Sequence, residues 1–140
     1  MTSAWTLEVD ADRIAWLTCD MPGSSTNVLS ATVIQDLAAA LTQAAAQKPV
    51  GLVLCSAKRS GFIAGADIKE FVDIRTPEEG YALVRAGQTV FDQLDALPFP
   101  SVAAIQGFAL GGGLELALAI RSAGGTKRSM RPTSSARAPR

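Results

Sequence analysis

The stretch Gln106-Gly107-Phe108-Ala109-Leu110-Gly111-Gly112-Gly113-Leu114-Glu115 holds the residues best suited to chemistry. Its order implies a strand end, a glycine-rich turn and a helix start, with the backbone able to come close to a ligand. N–H groups at a helix start have no intrahelical acceptor and favour negative charge, standing or developing. Glu115 falls in the first turn of that helix. There it could act as a general acid/base beside an oxyanion hole. The same position also suits a solvated glutamate that complements the helix dipole. Spacing alone leaves both readings open.

A second turn, Ala64-Gly65-Ala66-Asp67-Ile68-Lys69, has the same character of small residues followed by an acid that opens a helix. Asp67 fits an N-cap as well as a catalytic acid. Two such turns at strand ends could aim N–H groups at one oxygen atom, an arrangement suited to an enolate. Lys58, Arg59 and Lys69 surround this loop and could meet phosphates, or be ordinary surface charges. Nucleotide fingerprints fit poorly. A dinucleotide motif starting at Gly111 needs a third glycine where Leu116 stands, and no acid follows for a ribose. No Gly-Lys-Ser/Thr occurs for a phosphate-binding loop.

Other chemistries drop out on composition. The sequence has no histidine, which excludes Ser-His-Asp and Cys-His hydrolases and any histidine-bearing zinc site. Cys19 and Cys55 lie far apart inside apolar runs and read as buried thiols rather than a disulfide or metal pair. No basic region followed by an apolar stretch opens the chain, and the apolar runs are shorter than a membrane span. The expectation is a soluble, cytoplasmic protein.

The elements that must position these residues follow from periodicity. Trp5, Leu7 and Val9 alternate with polar residues, and Asp10-Ala11-Asp12 turns the chain into Ile14–Cys19, which makes a hairpin. Met21–Thr26 is a loop. Val33, Ile34, Leu37, Leu41 and Ala45 mark one face of a helix from Ala31 to about Ala46, with Ser30 as N-cap and Pro49 as its stop. Val50–Leu54 reads as a buried strand, Ser56–Asp67 as a loop, and Asp67 to about Asp73 as a short helix. Thr76-Pro77-Glu78-Glu79 opens a helix to about Leu97 that carries Leu83, Val90, Leu94 and Leu97 on one face. Ser101–Ile105 is a strand, Gln106–Gly112 a turn, and Gly113–Ile120 a helix. Strands alternating with helices define an α/β architecture.

At 140 residues, 48% hydrophobic and 19% charged, the chain has material for one ordinary domain. Its neutral total hides a break. Residues 1–120 hold seven basic and thirteen acidic side chains, a net −6, whereas residues 121–140 hold six basic ones and no acid. That second segment lacks apolar periodicity and is expected to be a disordered, low-complexity basic tail. Weak, nonspecific contact with nucleic acid is the alternative reading of its charge.

Phe62-Ile63-Ala64-Gly65-Ala66-Asp67-Ile68-Lys69, followed by Ala103-Ala104-Ile105-Gln106-Gly107-Phe108-Ala109-Leu110-Gly111-Gly112-Gly113-Leu114-Glu115-Leu116-Ala117, resembles the crotonase (enoyl-CoA hydratase/isomerase) superfamily. Met21-Pro22-Gly23 and Asn27-Val28-Leu29-Ser30 extend the resemblance to about residues 5–119. Within the family it is most like the hydratase/isomerase domains of fatty-acid oxidation complexes.

The resemblance implies a crotonase-like ββα spiral, with only its N-terminal part in residues 1–120. It implies an oxyanion hole built from the N–H groups of Ala66 and Gly112 around the thioester oxygen of an acyl-CoA. Glu115 would be one of two catalytic glutamates that add water across a trans-2-enoyl-CoA. Lys58, Ala64, Gly65, Asp67, Ile68, Lys69 and Gly111 would contact the substrate, with the Lys58–Lys69 loop along the CoA moiety. No cofactor is implied, because coenzyme A belongs to the substrate, and family members oligomerise. The family's second glutamate lies in a Gly-x-Pro-Glu segment after the glycine-rich helix. The corresponding stretch, Arg121–Arg140, contains no acid. The expectations are therefore a truncated domain with an unrelated tail from an out-of-frame or broken gene end, and a chain that is either a hydratase or an inactive, weak acyl-CoA binder.

Overall fold

A computed structural model describes residues 3–120. The expected tail at 121–140 lies outside the described residues. Two strands, β1 (Trp5–Val9) and β2 (Ile14–Cys19), form the antiparallel hairpin that the alternation implies. Asp10 builds its turn. The carboxylate accepts from the N–H groups of Asp12 at 2.9 Å and Ile14 at 3.0 Å, and from the Trp16 indole at 2.8 Å. Strand β3 (Gly51–Ser56) then joins β2 in parallel, and β5 (Ser101–Ala103) joins β3, giving a four-stranded sheet in the order β1-β2-β3-β5.

Side chains alternate across this sheet as the pleat requires. Ala15, Leu17, Cys19, Leu52, Leu54 and Ala103 point to a dry face and are buried. Trp16 and Val102 stand on the opposite, exposed face. Strand β3, expected as a buried strand from Val50, begins at Gly51 and leaves Val50 58% exposed; its Leu52 and Leu54 are buried and Val53 is half-buried. β5 stops at Ala103 rather than Ile105 because its partner register on β3 covers only Leu52–Leu54.

Helix α1 (Ala31–Ala46) starts where the side chain of Ser30 accepts from the Val33 N–H. It buries Val33, Ile34, Leu37, Ala40, Leu41 and Ala44, so Ala44 takes the inward place expected for Ala45. Trp5 fastens the hairpin to this helix, its indole donating to the Val33 carbonyl at 3.0 Å.

After β4 (Gly61–Ile63) and the four-residue helix α2 (Ile68–Phe71), helix α3 (Pro77–Asp95) packs along α1 and buries Val90 and Leu94. Its N-terminus is capped as the sequence implies. Thr76 accepts from the Glu79 N–H at 3.2 Å, and the Glu79 carboxylate accepts from Arg75 N–H at 2.8 Å. It ends two residues before Leu97, since Pro98 disfavours helical geometry at the residue preceding it.

Two elements were not expected. The loops at Ser56–Asp67 and Gln106–Gly112 each hold a very short strand, β4 and β6 (Phe108–Ala109), and these pair in parallel as a separate two-stranded sheet. Helix α4 (Gly112–Leu118) follows at once.

The Asp10 turn has a pH signature. The Trp16 indole bond, then the Ile14 N–H, hold the Asp10 carboxyl below the ordinary aspartate value. A depressed folded-state pKa stabilises the hairpin above the unfolded value of about 3.9, and that contribution is lost as pH falls through the folded value. NMR titration of the Trp16 indole proton should therefore show an acid transition with its midpoint below about pH 3.9. Asp10→Asn should abolish that transition. An unchanged transition in the variant would contradict the assignment.

Candidate active site

The two turns singled out by composition meet in space through β4 and β6. Leu110 N–H donates to the Ile63 carbonyl at 3.1 Å, which draws the glycine run against the end of β4. Gly113 is then forced, because any Cβ at that position would collide with the carbonyl and Cβ of Ile63. Gly111 precedes the helix at φ +49°, a left-handed conformation that glycine adopts without steric cost.

Leu29 fixes the other turn. Its N–H donates to the Gly65 carbonyl at 2.7 Å, and its own carbonyl accepts from Asp67 N–H at 3.2 Å, forming an isolated parallel bridge centred on Ala66. In such a bridge the central residue's own N–H points to the far side. The Ala66 N–H therefore faces away from Leu29 and makes no hydrogen bond among the described residues. Gly112, the first residue of α4, has an N–H that is likewise unpaired among those residues. The two groups are neighbours: a Cβ placed on Gly112 would stand 3.7 Å from the Ala66 nitrogen.

Ala66, Gly112 and Glu115 border one cleft of about 250 Å³. Its far wall is apolar, with Ile34 from α1 and Leu83, Val84 and Phe91 from α3. Glu115 lies in the first turn of α4 and is exposed. Chemically, the cleft offers two neighbouring unpaired N–H donors, a carboxylate on the same lining and an apolar wall.

The remaining expected residues divide. Asp67 is the N-cap of α2, its carboxylate accepting from Lys69 N–H at 3.1 Å. Gly65 and Gly111 pack against each other, since a Cβ on Gly111 would lie 3.7 Å from the Gly65 Cα. Ala64 N–H donates to the Asn27 carbonyl at 2.9 Å. Ile68 and Lys69 are exposed on α2, outside the cleft lining. Lys58 also lies outside it. Its ammonium sits 2.6 Å from the Asp20 carboxylate and donates to the Met21 carbonyl at 2.8 Å. A phosphate would have to compete with Asp20 for that charge.

Two residues matter that spacing did not reveal. Asn27 is 1% exposed, and its amide nitrogen donates to the carbonyls of Cys19 and Phe62 and to the Ser56 hydroxyl, while its oxygen accepts from Met21 N–H. It ties the ends of β2, β3 and β4 together beneath the site. Glu70 borders the cleft, and both of its carboxylate oxygens reach the Ala31 N–H, at 2.9 and 3.0 Å. In the sequence Asp67-x-x-Glu70 looks like a capping pattern internal to α2, so nothing points to α1.

Among the described residues no helix is long and apolar enough to cross a membrane, and no group of His, Cys, Asp or Glu could hold a metal ion.

The fold is an α/β one in which two glycine-rich turns meet beside unpaired N–H groups and a carboxylate. A family model described as enoyl-CoA hydratase/isomerase matches residues 11–122, and the chain belongs to that family. Solved structures agree. The chain is similar to an enoyl-CoA hydratase/carnithine racemase from Magnetospirillum magneticum at 32% identity and TM-score 0.77, covering 86% of this chain and 45% of that one. It is similar to an enoyl-CoA hydratase from Bacillus anthracis at 29% identity and TM-score 0.76, covering 84% and 45%. The α/β fold is thus a crotonase fold, and the chain spans about half the length of the structures it matches.

Asn27 gives the site's stability test. Replacement by Ala leaves the Phe62 carbonyl and the Met21 N–H without this partner, and each buried group left unpaired costs about 1–3 kcal/mol. Asn27→Ala should lower unfolding stability by about 3 kcal/mol in urea denaturation. A loss under about 0.5 kcal/mol, the range of ordinary surface changes, would refute the role.

Proposed function

We propose that this chain binds 2-enoyl-CoA thioesters and adds water across their double bond, as in fatty-acid β-oxidation. The observation that carries the reading is the meeting of Ala66, Gly112 and Glu115 at one cleft, with both N–H groups unpaired among the described residues. The thioester oxygen accepts from these two N–H groups. As the oxygen of water attacks the β-carbon, the electron pair of the double bond moves onto the thioester and the oxygen becomes enolate-like. Two fixed dipoles then stabilise it more than they stabilise the ground state. Glu115 is the carboxylate available to take a proton from the attacking water and return one to the α-carbon, which completes the addition. The acyl chain lies on the apolar wall of α1 and α3.

Two free thiols support a reducing, cytoplasmic location. That of Cys19 is pushed up to about 12, chiefly by burial, and stays protonated at neutral pH. A second reading, binding of the thioester without turnover, is favoured by one observation: residues 116–140 contain no acidic residue.

Crotonyl-CoA hydration, followed as loss of the enoyl-thioester absorbance, tests both. Turnover by the purified chain that falls about 10²–10⁴-fold in Glu115→Gln supports the hydratase reading. Saturable binding of crotonyl-CoA without turnover selects the second reading, and neither binding nor turnover rejects both.

A further inference from the structure

Helix α2 fully buries no side chain of its own: Ile68 and Val72 are largely exposed, and Phe71, 44% exposed, lies at the edge of the cleft. Yet it follows directly from Ala66, whose N–H direction the site requires. Apolar packing of α2 itself is therefore slight.

The contacts that hold it are polar, and they converge on one short strap, Leu29–Ala31. At one end of the strap, the Leu29 backbone grips Gly65 and Asp67 on either side of Ala66. At the other end, the Glu70 carboxylate reaches the N–H of Ala31, the first residue of α1. This N–H has no intrahelical acceptor, and a carboxylate at a helix N-terminus is favoured by the helix dipole as well as by the hydrogen bond. α1 is in turn anchored in the core by Leu37 and Leu41, both fully buried. Ala66 is therefore clamped between two attachments to a rigid element, and Glu70 supplies the only side-chain hydrogen bond from α2 to another helix among the described residues.

We infer that Glu70 is a positioning residue: its bond to Ala31 orients the Ala66 N–H toward the oxygen it stabilises. This rests on the proposed function for its catalytic consequence, but not for its structural one. Glu70 also brings a second carboxylate to the cleft that holds Glu115. Its engagement with Ala31 keeps that charge occupied, away from an oxygen that is itself becoming negative.

The test compares Glu70→Ala, which removes the acceptor, with Glu70→Gln, which keeps a carbonyl oxygen at the same reach. Amide hydrogen exchange is measured on the full chain for both variants and for the parent. Glu70→Ala should accelerate exchange at Ala31 and Asp67 at least tenfold while leaving Leu17 and Leu54 in the sheet unchanged, and Glu70→Gln should restore most of the protection. Exchange at Ala31 and Asp67 that is unaltered in Glu70→Ala overturns the inference, whether or not the chain turns over substrate. So does acceleration spread equally through β2 and β3, which would mark a general loss of stability.

Where the parent hydrates crotonyl-CoA, kcat should fall about 10²-fold in Glu70→Ala, the scale of a 1 Å misplacement or one lost oxyanion donor. KM should change by less than about threefold, and Glu70→Gln should recover most of kcat. Unchanged kcat in Glu70→Ala would refute the orienting role. If the parent neither binds nor turns over the thioester, the functional reading fails by itself, and the exchange data still decide the clamp.

Discussion

Everything at the cleft depends on one close approach, the seating of the α4 start on the end of β4. Ala66 and Gly112 are far apart in sequence, and nothing local brings their N–H groups together. What does so is a two-stranded parallel pair, β4 and β6, whose contact continues as the Leu110 N–H bond to Ile63 and as Gly113 lying flat on the Ile63 carbonyl. A parallel ladder this short has few hydrogen bonds to offset its closure entropy. It persists because Phe62 and Ile63 are fully buried, so slipping the pair would expose a large aromatic and a branched side chain. The glycines permit the approach, and the core beneath enforces it.

The same arrangement explains why a buried asparagine and a half-buried glutamate are placed where they are. Chain segments ending at the site all leave carbonyl and N–H groups at sheet ends, where no further ladder partner exists. Asn27 collects those of β2, β4 and the Met21 loop into one fully engaged amide. Glu70 performs the corresponding task at the start of α1. Both side chains satisfy backbone groups that have no ladder or intrahelical partner, and for the buried Asn27 an unpaired group would be the more costly because no water reaches it.

Much of this was legible in the sequence, and the boundary has a physical cause. The hairpin, α1 and α3 could be read because period-2 and period-3.6 patterns and their caps at Ser30 and Thr76 are local properties. The two turns at Gly65 and Gly111–Gly113 stood out as small residues followed by an acid, but that pattern also suits caps and helix dipoles, so the roles of Ala66, Gly112 and Glu115 came only with the family resemblance. Strands β4 and β6 were not legible, since three and two residues are too few for any period to show. Asn27 and Glu70 were hidden for another reason. Their partners lie between six and thirty-nine positions away, and an amide or carboxylate in a polar segment carries no mark of a distant acceptor or donor. Lys58 illustrates the converse. A cation in a suitable loop looked free, but Asp20, nearly forty residues earlier, comes to meet it when β2 and β3 pair.

The unpaired donors themselves set how strongly such a cleft can act. Ala66 is exposed and Gly112 only half-buried, so in the free protein water can satisfy both N–H groups and they impose little strain on the fold. Under the proposed hydration, their strength toward a developing oxyanion depends on what a bound acyl chain does to that water. An acyl group lying along Ile34, Leu83 and Phe91 would cover the cleft from the α1 and α3 side and lower the local dielectric. Fixed dipoles gain strength as the surrounding dielectric falls, because the competing response of solvent is removed. The apolar wall is thus part of the electrostatics of the site as well as of its affinity. On this argument a thioester with too short a chain would meet the same two N–H groups in a wetter cleft and gain less from them. A longer chain that fits would be favoured in kcat as well as in binding.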